Sequence, residues 1–410
     1  MPILEVRTLA ELEGYESQLD ELLAQSRDKC LYATYDYIVS WIQSFDVEKD
    51  AILLIAKENE SIIGFCPLIR YRLTNMFFGQ RISVRFAGEG LWGYTAILAD
   101  RARQKDVLHE FLSYVFETIP FDIFEIGPFL ESSDTYRLLK EDIDKKRALP
   151  STLSVLKDTP HILPESDFHA YSTKLTKKST FADAIRCQRR LSELGTVSVR
   201  KLNHECTREE LSVLMKRFYE MYFAQWESNR FKRTPAFQTL YFEFAHAALR
   251  KRYAEISMLL LDEKIIAMHY GFLLSNCRYY FTPTYDRAYR AYSPGKVLLL
   301  ELIKDSFNEK CEFDFLNDLE QYKLDWTDAI QSRAVITVYR KMWYGWYDSS
   351  RKKGFRQYGK KLSRTSRNGR TRNPRTREDA IHFGETRRWS SCSITRESYL
   401  RISSSYPDGR

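Results

Sequence analysis

Between Ala254 and Trp326 the sequence alternates in a way that few folds accommodate. Ala254–Leu261 and Ile265–Leu274 are apolar runs of strand length joined by the polar turn Asp262-Glu263-Lys264. Cys277–Thr284, rich in Tyr and Phe, follows after Ser275-Asn276. Three such runs separated by tight polar turns predict three successive strands. Ser293-Pro294-Gly295-Lys296 then opens a helix. Ser293 is a favourable N-cap, and Pro294 suits the first helical position, where its missing N–H costs nothing. Val297, Leu298, Leu299, Leu300, Leu302 and Ile303 make that helix apolar nearly all round, so it is expected to be buried. A short strand, Glu312–Leu316, and a polar-aromatic loop to Trp326 complete the stretch.

A helix that begins soon after a strand, with Gly295 and Lys296 in its first turn, presents free N–H groups and the positive end of its dipole. Both favour a phosphate. It is not a P-loop, which needs Gly in place of Arg290 and Ser or Thr in place of Val297. An ordinary capped helix accounts for the same residues; Arg290 and Lys296 on either side of the cap add the charge that an anion would use.

Arg290-Ala291-Tyr292-Ser293-Pro294-Gly295 resembles the loop with which GNAT acyltransferases wrap the pyrophosphate of CoA, Ser293 replacing its first glycine. Ile265-Ile266-Ala267, Thr284-Tyr285-Asp286, Tyr292-Ser293-Pro294-Gly295, Asp314-Phe315-Leu316 and Tyr322-Lys323-Leu324-Asp325-Trp326 occur in order. Together they resemble the CelD-type branch, acetyltransferase-like proteins associated with cellulose and exopolysaccharide synthesis. That branch usually has Gly where Asn317 stands; Asn tolerates left-handed backbone better than most residues. The resemblance runs from about Val6 to Trp346 and is strongest after Tyr171.

Charge divides the chain. Beyond residue 350 there are 17 Lys/Arg and 5 Asp/Glu, which leaves 46 and 50 for residues 1–350, so the net +8 belongs to the tail. This argues against a body that coats nucleic acid. Residues 351–410, poor in large aliphatics, are expected to form a basic, disordered extension. The seven cysteines show no Cys-x-x-Cys and no zinc spacing, so no metal is expected; Cys66, Cys277 and Cys311 lie in apolar runs as small core residues. No apolar run approaches the roughly 18 residues of a membrane span, and Met1–Glu5 does not begin a leader, so a cytoplasmic location is expected. Nothing in the residue pattern bears on oligomeric state.

The amino half repeats the order of the carboxyl half. Leu9–Ala24 and Tyr35–Ser44 read as helices, and Ala51–Lys57 and Ile62–Tyr71 as a hairpin. Ile82–Ala87 and Tyr94–Leu98 read as strands, Lys105–Ile119 as a helix and Phe121–Ile126 as a strand. Glu209–Arg230 and Pro235–Arg252 are the corresponding helices ahead of the central stretch, and Arg333–Arg340 is a last strand, with Trp343, Trp346 and Tyr347 closing the core. We therefore expect an α/β (α+β) chain of tandem GNAT-like domains, each a mixed, largely antiparallel sheet flanked by helices. Residues 1–150 form the degenerate copy, 151–350 the acyltransferase and 351–410 the tail. Gly88–Gly93 has no basic, helix-opening loop, so the amino copy is not expected to hold CoA. Lys174–Leu194 is a basic helix, either a solvated bridge between halves or a contact for an anionic donor or acceptor.

The resemblance implies that the thioester lies between Cys277–Thr284 and Glu312–Leu316, with acetyl-CoA or another acyl-CoA as co-substrate. Arg290, Tyr292, Ser293, Pro294, Gly295 and Lys296 would hold it, and backbone N–H groups near Thr282–Tyr285 would be the oxyanion donors if that strand is distorted. Attack on the thioester needs a base and an acid. Asp314, flanked by Phe313 and Phe315, is the first candidate base, because apolar neighbours raise a carboxyl pKa; His269 and Asp286 are the others. Tyr322 or Tyr285 would protonate the leaving thiolate. Asp286, Asn317 and Lys323 are expected near substrate, with Lys323 pairing with Asp314 or steadying a phosphate.

Three functions fit. The first is transfer from acyl-CoA to a small-molecule or saccharide acceptor, a sugar or amino-acid precursor of polysaccharide or cell envelope. The second is aminoacyl transfer from tRNA, as in the Fem-type peptidoglycan enzymes, which share the tandem architecture; Lys174–Arg190 would contact the nucleic acid. The third is a scaffold subunit without catalysis, to which Ser293 and Asn317 point.

Overall fold

The computed structural model describes residues 1–75, 79–88, 93–146, 149–174, 178–227 and 231–341. The amino half contains β1 (Ile3–Val6), α1 (Leu9–Glu13), α2 (Glu16–Gln25), α3 (Tyr35–Phe45), β2 (Ala51–Glu58), β3 (Ser61–Asn75), β4 (Gly79–Phe86), β5 (Leu98–Ala99), α4 (Gln104–Thr118) and β6 (Ile123–Leu130). Next come α5 (Asp134–Lys146), β7 (Ser151–Ile162), α6 (Phe168–Lys174) and α7 (Lys178–Ser192). The carboxyl half contains β8 (Val197–Lys201), α8 (Arg208–Gln225), α9 (Pro235–Arg250), β9 (Ala254–Leu261), β10 (Lys264–Leu274), β11 (Cys277–Tyr285), α10 (Pro294–Glu309) and β12 (Glu312–Asp314). α11 (Gln321–Leu324) and β13 (Ile330–Tyr339) follow. Two helices, a hairpin, a strand, a helix and a strand thus occur twice, in tandem.

The strands join in one mixed sheet ordered β1-β2-β3-β4-β6-β13-β7-β12-β11-β10-β9-β8, with β5 beside β3. Among the described residues the parallel pairs are β4/β6 and β11/β12, one in each copy. The strand that follows each copy crosses to the other one. β7 leaves the amino copy and pairs with β12 at Asp314↔His161 and Phe313↔Ile162. β13 leaves the carboxyl copy and pairs with β6 along Arg333–Tyr339. The two exchanged strands lie against each other from Ile330↔Pro160 to Val338↔Ser151.

Helices cover both faces. The apolar stripe of α4 and the buried Tyr136, Leu139 and Ile143 of α5 cover one face of the amino copy. α10 is buried against the carboxyl copy through Val297–Leu300, Leu302 and Ile303, as its composition requires. On the opposite face α2 and α3 of the amino half share a single core with α8 and α9 of the carboxyl half. Tyr37 and Phe244 meet edge to face there at 5.2 Å. The rim of this interface is charged: the Lys251 ammonium lies 2.8 Å from Glu16, 2.7 Å from Asp20 and 3.1 Å from Asp36, and the Tyr253 hydroxyl donates to Asp36 at 2.7 Å.

Several local expectations change. Leu9–Ala24 is two helices, broken at Gly14-Tyr15, where glycine raises the cost of continuing. Tyr94–Leu98 is not a strand; only Leu98 and Ala99 pair, with Phe65 and Gly64. The helix expected to run to Arg230 ends at Gln225. The basic helix begins at Lys178 and does not bridge the halves: Ala184, Cys187 and Leu191 seat it on α10. β1, β7 and β8 join as additional strands. Gly90, Trp343, Trp346, Tyr347 and the basic tail lie outside the described residues.

Asp36→Ala removes an acceptor from Tyr253 and one of three carboxylates around Lys251. Urea unfolding should show a loss of about 1–3 kcal/mol in a single transition, since the exchanged strands tie the halves together. Two resolved transitions would contradict that coupling.

Candidate functional site

β11 and β12 pair for three residues, Cys277↔Glu312, Arg278↔Phe313 and Tyr279↔Asp314. Beyond them β11 continues to Tyr285, whereas β12 ends and the chain follows β7: the Phe315 N–H donates to the Pro160 carbonyl at 3.0 Å. The two strands therefore part at Tyr279/Asp314. At the same level β11 carries an extra residue relative to β10, the register passing from Tyr270↔Thr282 to Phe272↔Tyr279. The expected distortion is present, but it lies at Tyr279–Thr282, ahead of Thr282–Tyr285.

His269 fills that bulge. Its Nε2 accepts the Phe281 N–H at 3.2 Å, and its ring stacks on Tyr280 at 4.6 Å. Gly271 makes the space, because a Cβ there would lie 2.0 Å from the imidazole. Burial pushes the His269 pKa down to about 3, so the ring is neutral at physiological pH. Burial thus takes His269 away from the titration near neutrality expected of it; the ring supports the bulge and holds the Phe281 N–H, just ahead of the Thr282–Tyr285 groups expected as oxyanion donors.

Asp314 sits where the strands part and is fully engaged. One carboxylate oxygen accepts the Tyr94 hydroxyl of the amino half at 2.7 Å; the other accepts the Leu316 N–H at 2.6 Å. Burial raises its pKa, and these hydrogen bonds oppose the rise. The following turn is left-handed at Leu316 (φ 60°) and Asp318 (φ 77°), not at Asn317. A left-handed Leu is costly, and the bond from its N–H to Asp314 is what holds it. Lys323 does not pair with Asp314; its ion pair is with Glu320. It is buried, donates to the Asn317 carbonyl at 2.6 Å and lies 3.3 Å from Glu320. Tyr322 is 38% exposed, 6.5 Å from Tyr280, with its hydroxyl bonded to Glu320.

The amino half contributes more than Tyr94. Arg333 of β13 makes a bidentate pair with Asp158 of β7 at 2.8 and 2.6 Å, and donates to the Gly93 carbonyl. Gly93 and Tyr94 are thus pinned from the sheet beneath and from Asp314.

At the other end of β11, Asp286 accepts the Arg217 guanidinium at 2.7 Å and the Ala288 N–H at 3.0 Å. Burial opposes its ionisation, but these partners outweigh it and hold its pKa low, so Asp286 is neither a base nor free for substrate. Arg287–Tyr292 form a 3-10 turn, and Ser293 then adopts φ 50°, ψ 53°. Ser293 stands at the expected boundary without capping: its side chain makes no cap bond, and its backbone takes the left-handed form that a glycine would supply. The Lys296 and Val297 N–H groups turn back to the Ser293 carbonyl at 3.0 and 3.3 Å, Pro294 has no N–H, and the Gly295 N–H has no backbone partner among the described residues. Tyr285 packs against Gly295, 3.4 Å from where a Cβ would stand.

α7 lies across this helix end. The Lys296 ammonium is 2.5 Å from Asp183, whose pKa that bond lowers, and Arg190 covers the Tyr292 ring at 5.0 Å and donates to the Ala291 carbonyl at 3.2 Å. Lys296 is therefore committed to a carboxylate, whereas Arg290 is exposed and makes no ion pair among the described residues. The structure brings Asp314, Tyr322, Lys323 and Asn317 together at the parting of β11 and β12. It gathers Tyr285, Asp286 and Arg290–Lys296 at the far end of β11. Arg190 belongs to the basic helix that the sequence singled out, whereas Tyr94 and Asp183 went unpredicted; neither belongs to a local motif. Burial raises the Cys30 thiol to about 12 and pushes up those of Cys66, Cys206, Cys277 and Cys311, which disfavours these five as nucleophiles.

The geometry agrees with what the chain is similar to. The family model Acetyltransferase (GNAT) domain matches residues 178–324, which span α7 to α11 and include both clusters. Among solved structures, FemX is 10% identical with a TM-score of 0.55, covering 82% of this chain and 97% of that one. A conserved protein of unknown function from Bacteroides thetaiotaomicron is 10% identical, with a TM-score of 0.51 over 83% and 100%. The C-terminal domain of a putative lysylphosphatidylglycerol synthetase from Agrobacterium fabrum is 9% identical, with a TM-score of 0.50 over 80% and 91%. The chain has no match among curated proteins. Residues 178–324 are thus similar to a GNAT acetyltransferase domain, and the fold of the chain is shared with these structures. Among the described residues no helix is long and apolar enough to cross a membrane.

Glu312, two residues before Asp314, supplies a pH test of this region. Burial first and Asp314 second raise its pKa from an ordinary 4.5 to about 7, and Gln331 donates to it at 3.2 Å. The folded state thus favours its protonated form: its contribution to stability is complete below pH 4.5 and is lost as pH rises to about 7. Glu312→Gln should be more stable than the parent above pH 7, by about 1–2 kcal/mol after solvent screening, with the difference fading below pH 5. Denaturant melts across that range would contradict this by showing a constant difference.

Proposed function

We propose that the chain is an acyl-CoA-dependent N- or O-acyltransferase, with acetyl as the acyl group and a saccharide or amino-acid precursor of polysaccharide or cell envelope as acceptor. The observation that carries this reading is the parting of β11 and β12 within the span that matches the GNAT model, with the start of α10 beyond it. In this reading the thioester lies in the gap against the β11 bulge. The CoA pyrophosphate meets the Gly295 N–H, the left-handed Ser293 and the exposed Arg290 guanidinium, with Tyr292 and Pro294 lining the turn. Lys296 adds charge by exchanging Asp183 for phosphate. Asp314 shapes the acyl end through Tyr94 and Leu316, and Lys323 fixes the Asn317 turn. Tyr322 gives its proton to the departing thiolate, and Tyr285 lines the pantetheine path. The reaction is placed in the cytoplasm, where acyl-CoA is made.

A second reading keeps the site and changes the donor to aminoacyl-tRNA. The fold shared with FemX supports it, as do the Arg186 and Arg189 side chains of α7, 63% and 75% exposed beside the same helix end. A scaffold role has less support, since Ser293 already takes the backbone form that glycine would provide.

Calorimetric titration of acetyl-CoA and CoA into the full chain should show binding, weakened about tenfold by Arg290→Ala, the loss of one charge-assisted contact. Absence of binding for both ligands contradicts the acyl-CoA reading; salt-sensitive binding of tRNA in its place supports the second.

A further inference from the structure

In the carboxyl half, the connection that leaves the first strand of the parallel pair, from β11 to α10, carries the candidate donor residues Arg290–Lys296. The matching connection of the amino half runs from β4 to α4, residues 87–103, and its described part turns to the other copy. The Thr95 N–H donates to the Pro128 carbonyl of β6 at 2.7 Å, and the Cys30 thiol donates to the Tyr94 carbonyl at 3.1 Å. Arg333 of β13 holds the Gly93 carbonyl. Three separate elements thus fix the backbone from Gly93 to Thr95, and the Tyr94 hydroxyl reaches Asp314 of the carboxyl half, 2.7 Å away.

From Asp314 the bonds run on to Tyr322. The second Asp314 oxygen accepts the Leu316 N–H at 2.6 Å and so holds the first left-handed residue of the turn. Gly93 lies against the same residue: a Cβ there would stand 3.7 Å from Leu316 Cδ2. Lys323 closes the turn by donating to the Asn317 carbonyl at 2.6 Å and pairing with Glu320 at 3.3 Å, and Glu320 bonds the Tyr322 hydroxyl. The Tyr322 ring meets Tyr280 of β11 at 6.5 Å, across the gap. A helix of four residues such as α11 has too little order of its own to place that ring, so the bonds at its foot must do so.

We propose that Tyr94 is a positioning residue for the transfer: acting through Asp314, it fixes the Leu316–Lys323 turn and thereby the Tyr322 hydroxyl at the gap. The role rests on the transferase reading, in which Tyr322 protonates the departing thiolate. The amino half thus uses the connection that corresponds to the donor loop to steady the acid of the other copy. Tyr94 and Asp314 are 7% and 3% exposed, and a buried, charge-assisted bond of this kind is stronger than one in water. Without the hydroxyl, a buried carboxylate oxygen loses this donor. The exposed turn can relieve that cost by moving, whereas the paired strands cannot.

Tyr94→Phe keeps the ring and removes the hydroxyl alone. In hydrogen–deuterium exchange of the full chain it should speed the amides of Leu316–Lys323 about tenfold, the loss of one charge-assisted bond, and leave those of the β9–β10 hairpin as they were. With acetyl-CoA as donor and glucosamine or glycinamide as acceptor probe, thiol release should fall about tenfold in kcat, with the calorimetric affinity for acetyl-CoA unchanged. The same substitution made on Tyr322→Phe should cost no further rate, because the group it positions is already gone. Asp314→Asn, whose amide can still accept from Leu316 and donate to Tyr94, should be about tenfold faster than Asp314→Ala; a base at this position would make the two equally slow. Unchanged exchange at Leu316–Lys323 in Tyr94→Phe overturns the proposal alone, as does an equal loss of rate with and without the Tyr322 hydroxyl. A parent chain that neither binds acetyl-CoA nor releases thiol defeats the transferase reading, and the role of Tyr94 with it.

Discussion

Two strands cross between the halves of this chain, and the candidate site depends on that exchange. A parallel pair such as β11/β12 would continue side by side if nothing pulled it apart. Here β7, arriving from the amino half, captures β12 at Asp314↔His161 and takes the Phe315 N–H, while β11 keeps its pairing with β10. The hydrogen bonds lost between β11 and β12 are thereby replaced within the sheet, as buried backbone groups require. β13 returns the exchange, and its Arg333 ties Asp158 of β7 to the Gly93 carbonyl. The gap is therefore a product of both halves, and Tyr94 on Asp314 marks where they meet.

The same economy governs the side chains. Polar groups within the gap are nearly all engaged, because an unpartnered buried group costs more than its bond returns. Asp314 serves Tyr94 and Leu316, His269 serves Phe281, and Lys323 serves Asn317. Such commitments stiffen the walls and withdraw those residues from proton transfer. The charge left accessible is on Arg290 and the outer arginines of α7, beside the start of α10.

Much of this was legible in the sequence where local rules decide the outcome. The β9–β10 hairpin followed from two apolar runs and a charged turn, and α10 followed from Pro294 and an all-round apolar composition. β7 was not legible: its first eight residues alternate Leu153 and Val155 with Ser, Thr, Lys and Asp, and Leu153, Val155 and Leu156 remain exposed. Its strand identity comes from β13 and β12, distant in sequence. Ser293 shows the reverse failure, a good capping residue whose backbone, held between a 3-10 turn and Pro294, leaves its side chain no cap to make. The left-handed turn expected at Asn317 fell on its neighbours because Asp314 reaches the Leu316 N–H.

The central claim is that the gap between β11 and β12, with the start of α10, is the donor site. Hydrogen–deuterium exchange of the full chain with and without acetyl-CoA tests it most directly. The account predicts slower exchange confined to two segments, Tyr279–Tyr285 and Arg290–Leu298, with the matching β4/β6 region of the amino half unchanged. Protection centred on β4/β6 and α4, or none in β11 at saturating ligand, would contradict it.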